Sequence, residues 1–260
     1  MKILAFTDIH SDQELIKTIL KKAEKVDFLI CCGDFTFFGD QYKKVIKQLA
    51  GCKKTIFMIH GNHEEGMELK EMSKYKNMFF LHNKMVKLKE NLYIFGFGGG
   101  GFSYTDEQLE KLIPKIKEKL KKDDKLILVT HQPPYKTELD IVASGHVGSM
   151  TIRKFISEVK PIIALSGHIH ECFGVHDKIG NSILINPSDE GRIIELKLKG
   201  KPTPIIEIQN YKDIYDEFSS NLVSHNEKNL ILLQNLSESI KEVSISRDTL
   251  EKMKALGYLQ

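Results

Sequence analysis

The sequence predicts an α/β fold with a largely parallel β-sheet covered by helices on both faces, followed by a C-terminal extension. Short apolar segments alternate with longer amphipathic segments through residues 1–208, which is the spacing of repeated β-α-β units. Polar clusters come directly after several of the apolar segments. The composition changes after about residue 209. We therefore expect one domain over residues 1–208 and a partly helical extension over residues 209–260.

Three strands, each followed by a helix, are predicted in the first part of the domain. The apolar segments predict strands over residues 2–6, 27–32 and 55–59. Ser11 is predicted to begin the first helix, because Glu14 completes a capping box three residues later. Apolar residues at helical spacing follow in that segment. The next two helices are predicted over residues 41–50 and 64–75.

The second part of the domain continues the alternation. A strand over residues 92–97 leads into four consecutive glycines. Thr105 is predicted to cap a helix that reaches about residue 121, with Gln108 completing its capping box. The remaining predicted elements are, in chain order, a strand over residues 125–130, a helix over 149–159, a strand over 161–165, and shorter strands over 182–185, 192–198 and 203–208.

Composition and charge exclude several classes of protein. The 38 basic and 35 acidic residues leave a net charge of +3, which is no strong signature of nucleic-acid binding. No run of about 18 apolar residues is present, so a membrane span is not expected. The four cysteines form no C-x-x-C pair and fit a reducing compartment, so we expect a cytoplasmic location.

Five polar motifs each fall where a predicted strand ends. They are Asp8-Ile9-His10, Gly33-Asp34, Gly61-Asn62-His63-Glu64, His131 and Gly167-His168-Ile169-His170. Ligands collect at the carboxyl edge of the strands in open α/β sheets, so these motifs should converge. Asp, Asn and His offer the oxygen and nitrogen atoms that bind divalent metal ions. In D-x-H and H-x-H, extended backbone places both ligands on one side.

The ordered pattern D-x-H, G-D, G-N-H-E, H and G-H-x-H resembles the calcineurin-like metallophosphoesterase family. The motifs span Asp8 to His170, and the fold resemblance extends to about residue 208. The resemblance implies a layered sandwich of two central mixed β-sheets flanked by helices. It also implies two divalent metal ions, and the mixed nitrogen and oxygen donors accept Mn, Fe, Zn, Ni or Co.

The resemblance also implies a function for each motif residue. Seven side chains match the metal ligands: Asp8, His10 and His170 for one ion, Asn62, His131 and His168 for the other, and Asp34 as the bridge between them. Asp34 and His63 match the catalytic positions, with His63 near the leaving group, while Glu64 is expected to support the loop or a ligand. The implied reaction is hydrolysis of a phosphodiester by a metal-bridging hydroxide.

The motifs also narrow the substrate. The Ser/Thr protein phosphatases that share the G-D motif carry an arginine shortly after the aspartate, and no arginine follows Asp34 in residues 35–40. The resemblance therefore disfavours a protein phosphatase. The segments 131–134 and 145–149 resemble small phosphodiesterases, so we expect a small and possibly nucleotide substrate, with Asn62, His63 and His146 as substrate contacts. A phosphomonoesterase of the same fold and a protein-binding scaffold of low activity stay open as alternatives.

Three further features have more than one interpretation. Phe35, Phe37 and Phe38 could form an apolar wall for a nucleobase or pack in the core. Gly96-x-Gly98-x-x-Gly101 formally matches a dinucleotide fingerprint, but a glycine loop beside the metal centre is the preferred interpretation. The extension over residues 209–260 contains no candidate ligands, and the sequence leaves its protein partner open.

Overall fold

A computed structural model of the protein describes residues 1–65 and 70–197. The first half contains β1 (Lys2–Phe6), α1 (Gln13–Ala23), β2 (Phe28–Cys31), α2 (Tyr42–Ala50), β3 (Thr55–Met58), a short 3-10 helix (Lys70–Lys74), β4 (Met78–Phe80), β5 (Lys84–Lys89) and β6 (Leu92–Phe97). The second half contains α3 (Glu107–Lys119), β7 (Lys125–Thr130), β8 (Ile141–Val142), β9 (Gly145–His146), α4 (Met150–Val159), β10 (Ile163–Leu165), a second 3-10 helix (His170–Cys172), β11 (His176–Ile179), β12 (Ser182–Ile185) and β13 (Arg192–Glu195).

Two large mixed β-sheets form the centre of the fold, as the resemblance implied. The first has the strand order β13-β1-β2-β3-β4, and only β13 runs antiparallel to its neighbour. The second has the order β11-β12-β10-β7-β6-β5, with β11 and β5 antiparallel at its two edges. The strands β8 and β9 form a separate hairpin. The central strands of both sheets are therefore parallel, as expected where both faces of a sheet are covered, and the parallel strand β4 also forms one edge of the first sheet.

Alternation of side chains along the strands divides the core into layers. In β1, Ile3 and Ala5 belong to the cluster that fills the space between the two sheets. Leu4 and Phe6 belong to the cluster packed with α1 and α2. On the second sheet, Phe95 stacks on Phe155 of α4 with ring centroids 5.6 Å apart. Since the central strands are buried on both faces, they appear in the sequence as continuous hydrophobic runs.

Two helices are capped by the residue after the predicted cap. Asp12, not Ser11, is the N-cap of α1, because its carboxylate accepts the backbone N–H of Glu14 at 2.8 Å and of Leu15 at 3.0 Å. The Ser11 hydroxyl instead donates to a backbone carbonyl in the loop after β2. Asp106, not Thr105, caps α3. In both cases a carboxylate adjacent to the predicted residue satisfies the free N–H groups of the first turn.

The prediction of a helix over residues 64–75 was wrong for the described part of that range. Residues 64–65 form a turn, and residues 70–74 form only a short 3-10 helix. The Glu64 side chain turns inward to bind backbone groups rather than continuing a helix. The strands β4, β5 and β11 were not predicted, and β5 and β11 are the edge strands of their sheet. Edge strands are half exposed and give a weaker apolar signal.

Some predictions lie outside the described residues. They are the strand over 203–208, the end of the strand over 192–198, and the extension over 209–260. None of the helices in residues 1–65 and 70–197 is long and apolar enough to cross a lipid bilayer.

Candidate metal centre

The polar motifs follow the carboxyl ends of parallel strands from both sheets. Asp8 and His10 come after β1, Asp34 after β2, and Asn62 and His63 after β3. The second sheet supplies three histidines, with His131 after β7 and His168 and His170 after β10. The fold brings the donor atoms of these segments together in overlapping groups, in each of which all the atoms lie within 4.8 Å of one another.

The first group consists of Asp8, His10 and His170. The Asp8 Oδ1 atom lies 3.5 Å from His170 Nε2 and 3.9 Å from His10 Nε2. The two imidazole Nε2 atoms are 3.4 Å apart. One carboxylate oxygen and two ring nitrogens therefore face a common point.

The second group consists of Asp34, His131 and His168. His131 Nε2 lies 3.3 Å from Asp34 Oδ2 and 2.9 Å from Asn62 Oδ1. The Asn62 amide oxygen therefore belongs to the same cluster of donor atoms. Asp34 also forms a group with His10 and His63. Its carboxylate consequently lies close to donor atoms of both the first and the second group.

The donor atoms fit divalent cations. Asp8 Oδ1 and His168 Nε2 are buried and have no hydrogen-bond partner, an arrangement that is costly unless something else satisfies them. His10 Nδ1 lies 3.3 Å from the Thr36 carbonyl and His131 Nδ1 lies 2.9 Å from the Cys32 carbonyl. With the proton on Nδ1 for these bonds, each Nε2 atom directs its lone pair into the cluster, as a metal ligand requires.

Burial sets the protonation state of the unpartnered histidine. Burial, followed by the nearby His131, lowers the pKa of His168 to about 3. Its imidazole is therefore neutral at physiological pH and keeps a lone pair on the buried Nε2. A neutral imidazole is the form that coordinates metal ions.

Backbone conformation at the centre is unusual. Asp8, His10, Asp34 and His168 all have positive φ angles, between 44° and 69°. The left-handed region is uncommon for residues other than glycine, although Asp, Asn and His enter it more readily than most. Strained backbone of this kind concentrates at functional sites. Four of the seven predicted ligands share it.

Two glycines allow the loops to approach each other closely. A Cβ atom at Gly61 would overlap the carboxylate of Asp34. A Cβ atom at Gly167 would overlap the side chains of Thr7 and Asp8. Each of these glycines directly precedes a predicted ligand, so a side chain at either position would displace the ligand loops.

Glu64 ties the loop after β2 to the loop after β3. Its buried carboxylate accepts the backbone N–H groups of Asp34 and Gly61 at 3.0 Å each. It also accepts the N–H and the hydroxyl of Thr36 at 2.8 and 2.7 Å. Burial, together with the charge of Asp34, raises the pKa of Glu64 to about 7. Glu64 therefore acts on the centre by positioning Asp34.

We expect Glu64→Gln to weaken metal binding by about 10- to 100-fold, the usual effect of removing a group that orients a ligand. The glutamine amide retains one acceptor oxygen and places a donor against N–H groups that need an acceptor. Titration of the metal-free protein with Mn²⁺, followed by calorimetry, measures the change. Glu65→Gln is the matched control, because Glu65 is the exposed neighbour. Equal affinities in the two variants would contradict this function of Glu64.

His63 is held at the edge of the centre by its neighbours. The backbone N–H of Phe38 donates to His63 Nδ1 at 3.3 Å, which places the ring proton on Nε2. That Nε2 atom lies 3.7 Å from Asp34 Oδ2. Burial lowers the pKa of His63. The side chain therefore presents an N–H donor toward the space between the two groups of ligand atoms.

Two other histidines lie outside these groups of donor atoms. His146 is on β9, where its Nδ1 binds the buried Asp140 carboxylate at 2.7 Å and its ring packs near Tyr135. Among the contacts that residues 1–65 and 70–197 make, none joins His146 to the seven predicted ligands. His60 packs against His82, with ring centroids 4.6 Å apart. His60 therefore supports the glycine-containing loop, whose Gly99 N–H donates to its carbonyl.

Two threonines contribute to the centre without having been predicted. Thr7 donates its hydroxyl to Asp8 Oδ2 at 2.5 Å and leaves Asp8 Oδ1 free. Thr36 offers its carbonyl to His10. Neither threonine belongs to one of the five motifs. The sequence signal that could have identified them is their position next to Asp8 and close after Asp34.

Comparison with known proteins identifies relatives. A family model described as calcineurin-like phosphoesterase matches residues 1–172. The uncharacterized protein MJ1162 of Methanocaldococcus jannaschii is 33% identical over 208 residues, which cover 75% of this chain and 91% of that protein. The symmetrical bis(5'-nucleosyl)-tetraphosphatase of Buchnera aphidicola subsp. Schizaphis graminum is 33% identical over 102 residues, which cover only 36% of either protein.

A solved structure shares the fold. TT1561 of Thermus thermophilus superimposes with a TM-score of 0.55 at 17% identity, covering 73% of this chain and 89% of that one. At this level of identity the likeness concerns the fold alone. It agrees with the two mixed sheets and the flanking helices described above.

Proposed function

Because the chain belongs to the calcineurin-like phosphoesterase family, whose members hydrolyse phosphoesters, we propose that it is a dinuclear metal-dependent phosphodiesterase acting on a small, nucleotide-type substrate. The observation that carries this proposal is the position of Asp34. Its carboxylate lies within reach of donor atoms from both groups of side chains, as a bridge between two cations requires. The buried atoms Asp8 Oδ1 and His168 Nε2, which have no hydrogen-bond partner, support it.

We assign the ligands as the sequence predicted. One cation would be held by Asp8, His10 and His170, the other by Asn62, His131 and His168, and Asp34 would contact both. Two bound divalent cations, of Mn, Fe, Zn, Ni or Co, would supply activation of a water molecule and neutralisation of phosphoryl oxygens. The chain itself supplies rigid placement, since carbonyl groups orient His10 and His131.

His63 would act on the leaving group. With its proton on Nε2 and its Nδ1 held by the Phe38 N–H, it can donate a hydrogen bond to the oxygen whose bond to phosphorus breaks. That oxygen gains negative charge as the water oxygen bonds to phosphorus, so donation strengthens in the transition state. Asn62 and His63 are the proposed substrate contacts, and His146 on β9, whose Nδ1 binds Asp140, stays a third proposed contact.

Charge favours a diester over a monoester. A monoester dianion needs additional cationic partners, and arginine is the residue that binds such groups best. Arg153 and Arg192 are the arginines among the described residues. Arg153 donates to the carbonyls of Tyr135 and Lys136, and Arg192 donates to the carbonyl of Gly174. The partial similarity to a bis(5'-nucleosyl)-tetraphosphatase supports a nucleotide substrate.

The four cysteines are free thiols, which supports a cytoplasmic location.

We expect Mn²⁺-loaded protein to hydrolyse bis-p-nitrophenyl phosphate with a kcat/KM at least about 10-fold above that for p-nitrophenyl phosphate. The reason is that an unpaired charge or polar group in a binding site costs on the order of 1–3 kcal/mol. Release of p-nitrophenolate measures both rates, and a metal-free sample is the control. A reversed preference would indicate a phosphomonoesterase. No metal-dependent turnover of either compound would favour a protein-binding scaffold.

A further inference from the structure

Two phenylalanines form an exposed aromatic surface beside the candidate metal centre. Phe37 and Phe38 are 41% and 58% exposed, whereas Phe35, which belongs to the same segment, is fully buried in the core. The sequence left two interpretations open for all three. The structure assigns Phe35 to core packing and leaves Phe37 and Phe38, here called the aromatic wall, without a core function.

The aromatic wall is continuous with the centre on the side of His63. The centroid of the Phe38 ring lies 4.0 Å from the centroid of the His63 ring, and the centroid of the Phe37 ring lies 5.2 Å from it. Phe37 also contacts His10, at 6.1 Å between centroids. The two phenyl rings meet edge to face at 5.1 Å and 80°. A substrate whose leaving oxygen contacts His63 therefore has its leaving group next to the wall.

The backbone holds Phe38 in this position against its conformational preference. Its φ angle is +47°, which is unfavourable for a bulky side chain. The Phe38 N–H donates to His63, and the next N–H, of Gly39, donates to the Thr36 hydroxyl at 3.1 Å. The loop thus places a large apolar ring in solvent at a conformational cost. Strain of this kind occurs where a function requires the conformation.

We propose that the aromatic wall stacks the base of a nucleoside leaving group, so that the preferred substrates are phosphodiesters whose leaving alcohol carries a nucleobase. This inference rests on the proposed phosphodiesterase function. A planar base suits the wall because every base offers a flat π-face to an aromatic side chain. Two rings are too small a surface for a membrane or a folded protein, and they begin directly at the leaving-group histidine.

Binding of ligands that keep the bond between the phosphate and the leaving oxygen tests the wall separately from catalysis. Calorimetry on the metal-loaded full chain would compare AMP with ribose 5-phosphate, which has the same phosphate and sugar but no base. We expect the wild type to bind AMP more tightly. In the double variant Phe37→Ala/Phe38→Ala, AMP binding should weaken by about 5- to 100-fold, the usual loss for one stacked base. Binding of ribose 5-phosphate should change by no more than about 2-fold, as for exposed substitutions.

Two further variants serve as controls. Phe37→Leu/Phe38→Leu keeps apolar bulk and removes the aromatic faces, so it should lose the same preference for AMP even if the alanine variant were unstable. Phe102→Ala removes a 55% exposed ring that contacts His168 instead of His63, and it should keep the preference. The proposal is overturned if the wild type binds both ligands equally. It is also overturned if the variants of Phe37 and Phe38 keep the preference for AMP, whether or not Phe102→Ala loses it.

The same samples distinguish failure of this inference from failure of the proposed function. Hydrolysis of bis-p-nitrophenyl phosphate without any preference for AMP would refute the aromatic wall and leave the phosphodiesterase in place. A preference for AMP that depends on Phe37 and Phe38, without hydrolysis of any diester, would refute the phosphodiesterase and leave a nucleotide-binding site.

Discussion

Asp34→Asn should reduce the metal-dependent kcat/KM for bis-p-nitrophenyl phosphate by on the order of 10³-fold, because metal ions supply several kcal/mol of transition-state stabilisation. Asp34 is the acidic side chain whose oxygens lie near donor atoms of both groups. An asparagine has the same shape but no charge to offset repulsion between two cations. The expected cause of the loss is therefore a lower metal content rather than altered packing.

Metal analysis of the purified protein checks that cause. We expect two equivalents of metal in the wild type and one or fewer in Asp34→Asn, with the rate falling in parallel. Asp40→Asn is the matched control, because Asp40 is an exposed aspartate in the same loop. Two equivalents together with a wild-type rate in Asp34→Asn would remove the bridging function from this residue and the dinuclear proposal with it.

His63→Ala should lower kcat by about 10²- to 10⁴-fold, the range for loss of a group that assists proton transfer, while the metal content stays unchanged. The His63 Nε2 atom lies at the edge of the centre, 3.7 Å from Asp34 Oδ2. In the proposed assignment His63 is not a ligand of either cation. The substitution therefore separates leaving-group assistance from metal binding.

The dependence on the leaving group makes this second prediction specific. A diester with an alkyl leaving group needs more help than one with p-nitrophenolate, so the defect of His63→Ala should grow with the pKa of the leaving alcohol. His176→Ala, at an exposed position on β11, is the control for removing a histidine. If the defect were the same for good and poor leaving groups, His63 would not act on the leaving oxygen.

Buried strands leave a local signal in the sequence, whereas helix caps do not. The strands over residues 92–97 and 125–130 lie where their apolar runs predicted them, because a buried parallel strand must be apolar on both faces. The caps of α1 and α3 were predicted one residue too early because two polar residues stand next to each other at each of these starts. Only the backbone direction decides which of them can reach the free N–H groups.

Residues 64–75 show where local patterning is insufficient. The segment has enough apolar residues for a helix, yet the Glu64 carboxylate accepts four hydrogen bonds from the loops that carry Asp34 and Asn62. Asp34 and Thr36 lie 30 and 28 residues before Glu64 in the chain, whereas Gly61 lies only 3 residues before it. At Glu64, buried hydrogen bonds to other loops therefore outweigh helical propensity.

The sequence by itself determined the α/β class, the family resemblance, and the identity and order of the donor residues, because strands and chemically competent side chains leave short-range patterns. Only the tertiary structure decided that one carboxylate lies between two groups of donors, that Glu64 joins two loops, and that Phe37 and Phe38 face solvent while Phe35 is buried. These properties depend on distances between segments far apart in the chain. Burial and close contact are set by the packing of two sheets, which no local pattern encodes.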